Sequence, residues 1–145
     1  MFEKVIREFN DVWFMVTHAG DCGSIRLKDW DTYIKSNRRC YELAAELGNV
    51  WICLCMPWWF ADNKVNPNLE QQVRFLRAHV GFSKVRWGSD WPYHGSGSNC
   101  STRSDYELVV DYYRNLSFCS EEERESILGG AAFEFVTGRM IESEN

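Results

Sequence analysis

The sequence predicts an α/β fold built on a parallel sheet, and three observations carry that expectation. Residues 12–17, 50–55 and 84–87 are short strand-like runs rich in Val, Ile, Trp, Phe and Cys. Each runs directly into a polar, glycine- or proline-bearing turn. Helical periodicity fills the intervals between them, at about 35-residue spacing, which is the rhythm of βα units with right-handed crossovers.

The elements follow in order. Phe2, Val5, Ile6 and Phe9 recur at i, i+3, i+4 and i+7, an amphipathic helix beginning with the first residues. Residues 12–17 form an apolar run covered on both faces, as parallel strands are, and lead into His18-Ala19-Gly20. A polar loop spans residues 21–28, and a helix covers about residues 30–47 with Gly48 as its stop. Asn49 opens the second strand, residues 50–55, which ends at Met56-Pro57 because proline cannot extend the ladder. An aromatic loop, Trp58-Trp59-Phe60, comes next. Leu69, Val73, Leu76 and Val80 then mark a helix over about residues 68–80 that Gly81 closes.

The third strand, residues 84–87, enters Gly88-Ser89-Asp90-Trp91-Pro92. Residues 93–101 read as a Gly- and Ser-rich flexible loop, and residues 105–116 as a helix. Ser120 and Glu123 match a capping box that opens a further helix to Leu128. All 145 residues are expected to form a single partial domain, residues 1–145.

Composition excludes several functional classes. Apolar residues make up 45% of the chain and aromatics 15%, which rules out a disordered tail. Net charge is −5 with Lys and Arg scattered, so no basic stripe is available to neutralise phosphates and no nucleic-acid partner is expected. The longest apolar run, about residues 50–60, is shorter than the ~20 residues a membrane helix needs, and no membrane partner is expected. The first nine residues mix charges with apolar residues and lack a signal-peptide centre, which predicts a cytoplasmic location. The six cysteines are irregularly spaced and are expected to be reduced thiols.

Function in such sheets gathers at the C-terminal ends of the strands. His18 and Asp90 both stand there. A neutral imidazole suits a metal ion or a substrate proton, and Asp90, flanked by Trp91 and Pro92, is placed to ligate a divalent metal or act as general base. Each also fits a plainer role, His18 as a backbone-bonded cap and Asp90 as an N-cap in a turn. Cys53 and Cys55 lie two apart on one strand face and read as buried inert thiols; without a second ligand pair at the right spacing they do not make a structural zinc site. His79, between apolar helix positions, reads as exposed or packed. Trp58, Trp59 and Trp91 lie on strand-end loops and could wall a pocket for a small-molecule substrate, although core packing explains them equally well, and His94, directly after the Asp90 turn, could take a rim role in substrate binding.

In combination, His18-Ala19-Gly20, Asn49-Val50-Trp51 and Trp87-Gly88-Ser89-Asp90-Trp91-Pro92 resemble, in order and spacing, the amidohydrolase-related family, the second amidohydrolase group. The tail from Leu116 through Ser120 to Gly130 resembles that family's closing helices. The resemblance implies the C-terminal part of a (β/α)8 TIM barrel, with about three parallel strands, corresponding to strands six to eight, under covering helices. It implies hydrolysis of a small-molecule ester, lactone or amide bond, with decarboxylation or a non-catalytic binding module as alternatives. By the same resemblance, His18 contacts substrate or metal, Asp90 ligates metal and activates water, and the metal is zinc or manganese.

Three features depart from the family pattern. A complete barrel takes about 250 residues; the His-x-His pair of strand one and the ligands of strands four and five are absent; and Ala131-Ala132 replaces the usual Asn-Ala. The chain therefore reads as a fragment. Two open sheet edges predict assembly as a homo-oligomer or with a complementing chain.

Overall fold

A computed structural model describes residues 2–20, 30–55, 60–61, 64–65, 67–89 and 103–137. Helix α1 spans Phe2–Glu8 and strand β1 Phe14–Val16. Helix α2 (Trp30–Glu46) leads to β2 (Val50–Leu54), and α3 (Pro67–His79) leads to β5 (Val85–Trp87). Between β2 and α3 lies a two-stranded antiparallel hairpin, β3 (Phe60–Ala61) and β4 (Lys64–Val65). Helices α4 (Arg103–Arg114), α5 (Glu121–Glu125) and α6 (Ala131–Thr137) follow.

The sheet is parallel throughout, in the order β1-β2-β5, with Phe14 opposite Val50, Ile52 opposite Val85 and Leu54 opposite Trp87. The three strands, their direction and the intervening helices agree with the sequence expectation. Two local differences have physical causes. The first strand keeps only three of its six expected residues, because Val12 and Trp13 remain exposed and Thr17 already enters a left-handed turn. Part of the aromatic stretch after β2 is the hairpin strand β3 rather than loop; a two-residue strand is too short to leave a period-two pattern.

Register divides the side chains between the two faces, since alternate residues of a strand point opposite ways. Phe14, Val16, Val50, Ile52, Leu54, Val85 and Trp87 share one face. They pack with Ile6, Tyr41, Leu43, Leu69, Val73, Leu76, Val109, Tyr113 and Ile127 from the helices, and this is the main core. The other face carries Met15, Trp51, Cys53, Cys55 and Arg86. Near the N-terminal strand ends it is covered by aromatics: Trp13 stacks on Trp51 at 5.5 Å, Phe135 of α6 meets Trp51 edge-on at 5.8 Å, and the Arg86 guanidinium lies 5.2 Å from the Phe135 ring. Such ring contacts add to the area they bury.

Three devices fix the helices. Asn49, buried between α2 and β2, directs its carboxamide nitrogen at the carbonyls of Ile6, Phe9 and Val12 at 3.3, 3.2 and 3.0 Å, tying the end of α1 and the lead into β1 to the start of β2. Lys84 donates to the carbonyls of Ala44 and Leu47, satisfying the C-terminal end of α2. The predicted capping box forms in full: the Ser120 hydroxyl accepts from the Glu123 amide at 3.2 Å and the Glu123 carboxylate accepts from the Ser120 amide at 2.8 Å. Beyond α5 the chain makes a π-helical turn, Ser126–Gly130, and continues into α6 without a break. The altered Ala131 is helical, buried, and donates its amide to Ser126 O, so it acts as a through-going helix residue rather than a cap.

Candidate active site at the C-terminal strand ends

His18, Ala19 and Gly20 leave β1 in three successive left-handed conformations, with φ of 52°, 49° and 85°. Each non-glycine residue there costs about 1–2 kcal/mol, so the turn persists only where its surroundings impose it. Those surroundings lie on other elements. The His18 amide donates to Cys55 Sγ at 3.2 Å. The Tyr41 hydroxyl, on α2, donates to the Ala19 carbonyl at 2.8 Å, and Gln72 Nε2, on α3, donates to the Tyr41 oxygen at 3.4 Å. Tyr41 and Gln72 are both buried, at 2% and 0% exposure, where hydrogen bonds are hardest to replace with water. Gly20 packs so closely on α2 that a methyl group would meet Asn37 Oδ1 at 3.1 Å.

The next strand end rests on the same pair of cysteines. A Cβ on Gly88 would lie 2.8 Å from Cys53 Sγ and 3.3 Å from Cys55 Cβ, so glycine is required for β5 to leave the sheet at this point. Cys53 and Cys55 are buried, and Cys40, Cys53, Cys55 and Cys119 are free thiols. The Cys55 thiol beside it, reinforced by burial, pushes the Cys53 thiol far toward its protonated form. A protonated buried thiol is a poor nucleophile and a poor metal ligand.

Of the residues singled out in the sequence, His18 is half-buried at the C-terminal end of β1, where it was expected. Asp90, Trp91, His94 and Trp58 lie outside the described residues; the described chain reaches Gly88 and Ser89, just short of Asp90. His79 is exposed on α3, stacked on Phe75 at 3.9 Å with Nδ1 at 2.8 Å from the Phe75 carbonyl, and belongs to the helix surface. Tyr41, Gln72 and the supporting role of Cys55 were not visible in the sequence. The nearest signal was that Cys53 and Cys55 share a strand face directly below the two turns.

A family model described as amidohydrolase matches residues 1–136. The chain belongs to the amidohydrolase family. Among solved structures it is similar to amidohydrolase 2 from Bifidobacterium longum subsp. infantis, at 21% identity and a TM-score of 0.57, over 92% of this chain and 43% of that one. At that identity the likeness establishes the fold, part of an amidohydrolase TIM barrel, and the chain spans less than half the length of that relative. No curated protein matches. Within the family's barrel, the face bearing Met15, Trp51, Cys53, Cys55 and Arg86 corresponds to the interior and the helix-covered face to the outer ring.

The family generally uses divalent metal ions. Among the described residues no group of three or more His, Cys, Asp or Glu side chains is placed to hold one, and a catalytic zinc takes three protein ligands. The described donors by themselves do not make such a site. No described helix is long and apolar enough to cross a membrane.

Proposed function

We propose that this chain supplies the last strands of an amidohydrolase barrel that hydrolyses an ester, lactone or amide bond in a small molecule, in a site completed by the barrel's preceding strands. The observation that carries this reading is the His18 turn, a strained left-handed segment at the C-terminal end of a barrel strand. Such strain is kept where a side chain must be aimed. β1 and β5 flank β2, so their ends stand roughly 10 Å apart, twice the interstrand spacing.

In this reading Asp90 accepts a proton from water as its oxygen attacks the carbonyl carbon. His18 hydrogen-bonds the carbonyl oxygen as it gains negative charge, and the proton passes to the departing oxygen or nitrogen. A metal ion would draw on Asp90 and His18 together with ligands from the other strands, and would polarise the carbonyl and the water. The aromatic residues Trp58, Trp91 and His94 would line the entrance and favour a planar or apolar substrate.

The test is co-expression of this chain with a polypeptide carrying the preceding amidohydrolase strands, followed by assay on p-nitrophenyl esters, aryl lactones and anilides. Turnover should appear in the complex and fall by about 100-fold or more in Asp90→Asn and in His18→Ala. Turnover unchanged in Asp90→Asn, or carbon dioxide release from aromatic acids without hydrolysis, would overturn the assignment.

A further inference from the structure

We infer that Cys55 is a positioning residue for His18: its sulfur holds the His18 amide and, with Tyr41 on the following carbonyl, locks the left-handed turn that aims the imidazole. The inference rests on the reading of His18 as a site residue, but its evidence is separate.

Two consecutive non-glycine residues at positive φ, His18 and Ala19, relax to ordinary backbone unless something retains them. The carbonyl of Ala19 and the amide of His18 are held by two different elements. Cys55 Sγ lies 3.2 Å from the His18 nitrogen, at the end of the adjacent strand, and Tyr41 reaches the Ala19 carbonyl from α2 with Gln72 behind it. Cys55 in turn cannot drift. It is 5% exposed, its sulfur stands 4.0 Å from the Cys53 carbonyl, and the close approach of Gly88 closes the space on its other flank. The thiol pair is thus a floor shared by two strand ends, with Cys55 turned to His18 and Cys53 to Gly88. A serine hydroxyl keeps the acceptor at this position, whereas alanine removes it, and Cys53 offers a control of equal burial that makes no bond to His18.

The experiment is nuclear magnetic resonance of uniformly nitrogen-15-labelled full chain in four forms: parent, Cys55→Ala, Cys55→Ser and Cys53→Ala, with Tyr41→Phe added for the carbonyl side. In Cys55→Ala, exchange of the His18 amide proton with water should rise about fivefold or more relative to the β2 amides, the loss of one half-buried hydrogen bond. The His18 ring signals should shift with it. Cys55→Ser should restore exchange to within about twofold of the parent. Cys53→Ala, which removes the neighbouring thiol but leaves the Cys55 sulfur in place, should change His18 amide exchange by less than half as much as Cys55→Ala, and Tyr41→Phe should shift the Gly20 amide nitrogen, which shares a peptide group with Ala19 O. Equal effects of Cys55→Ala and Cys53→Ala on His18, or no rescue by serine, would overturn the positioning role. Failure of the catalytic reading shows instead as turnover that survives His18→Ala, an outcome the exchange data do not touch.

Discussion

Replacing Asn49 by Asp exchanges a nitrogen for an oxygen at constant shape, and it tests how α1 is joined to the sheet. The Asn49 carboxamide faces three carbonyl oxygens, Ile6 O, Phe9 O and Val12 O, between 3.0 and 3.3 Å away, at a residue 6% exposed. Its two N–H groups share three acceptors, so Asn49→Ala removes two hydrogen bonds' worth of pairing, at about 2–3 kcal/mol, while Phe9 O keeps the Val12 amide as a donor. Asn49→Asp places an acceptor-only carboxylate against the same carbonyls. A buried charge without compensation costs about 3–5 kcal/mol, unless the aspartate takes up a proton. Urea unfolding followed by tryptophan fluorescence measures both. With a slope of about 1.5 kcal/mol/M, the midpoint should fall by about 1.3–2 M in the alanine variant and further in the aspartate variant at neutral pH. The aspartate loss should shrink in acid, where a protonated carboxyl again offers a donor. An Asn49→Asp protein within about 0.5 kcal/mol of the parent would refute the account of this junction.

Further predictions follow from other contacts. Gly88→Ala forces a methyl to 2.8 Å from Cys53 Sγ and should cost about 1–3 kcal/mol as overpacking. Cys53→Ala in the same chain should recover part of that loss in a double-mutant cycle read by thermal unfolding, and additive losses would show that the clash is absent. Glu3, hydrogen-bonded to Arg39 and Arg7, is held at about 2 against an ordinary value of 4.5. A carboxylate depressed in the folded state adds stability above its unfolded value and loses it as pH falls toward the folded one. The α1–α2 junction should therefore weaken between about pH 4.5 and 2, and Glu3→Gln should flatten that part of an acid titration followed by circular dichroism. Ser120→Ala removes the acceptor for the Glu123 amide and should lower stability by about 1 kcal/mol. An unchanged melting temperature would mean that the Arg77–Glu123 pair holds α5 unaided.

Much of the fold was legible because hydrophobic runs and glycine stops are local signals. The second strand, its Asn49 start, α3 with Gly81 at positive φ just beyond it, and the Ser120 capping box all follow from residues within one element; the end of α2 does not, since Gly48 takes no positive φ and Lys84 satisfies the last carbonyls. The order of the strands followed from their alternation with helices. The candidate site was legible in location more than in construction. His18 at a strand end is a statement about position. That His18 and Ala19 turn left-handed is imposed by Cys55, Tyr41 and Gln72, which are far away in sequence and carry no pattern that marks them as its partners. The Asn49-Val50-Trp51 segment shows the same gap: it could be matched as a motif, but the reason for asparagine appears only when three carbonyls from α1 and its exit converge on its amide.

The aromatic cover over the inner sheet face has an optical consequence. Trp13 and Trp51 are stacked at 5.5 Å and Phe135 closes against both, a spacing at which two indoles couple their strong transitions and give a paired far-ultraviolet dichroism band. Trp51 is buried at 2% exposure while Trp13 is partly open, and the two rings belong to the lead into β1 and to β2, so the pair reports on the β1–β2 junction without any added label. While those strands stay paired the band is present, and it should collapse when they part.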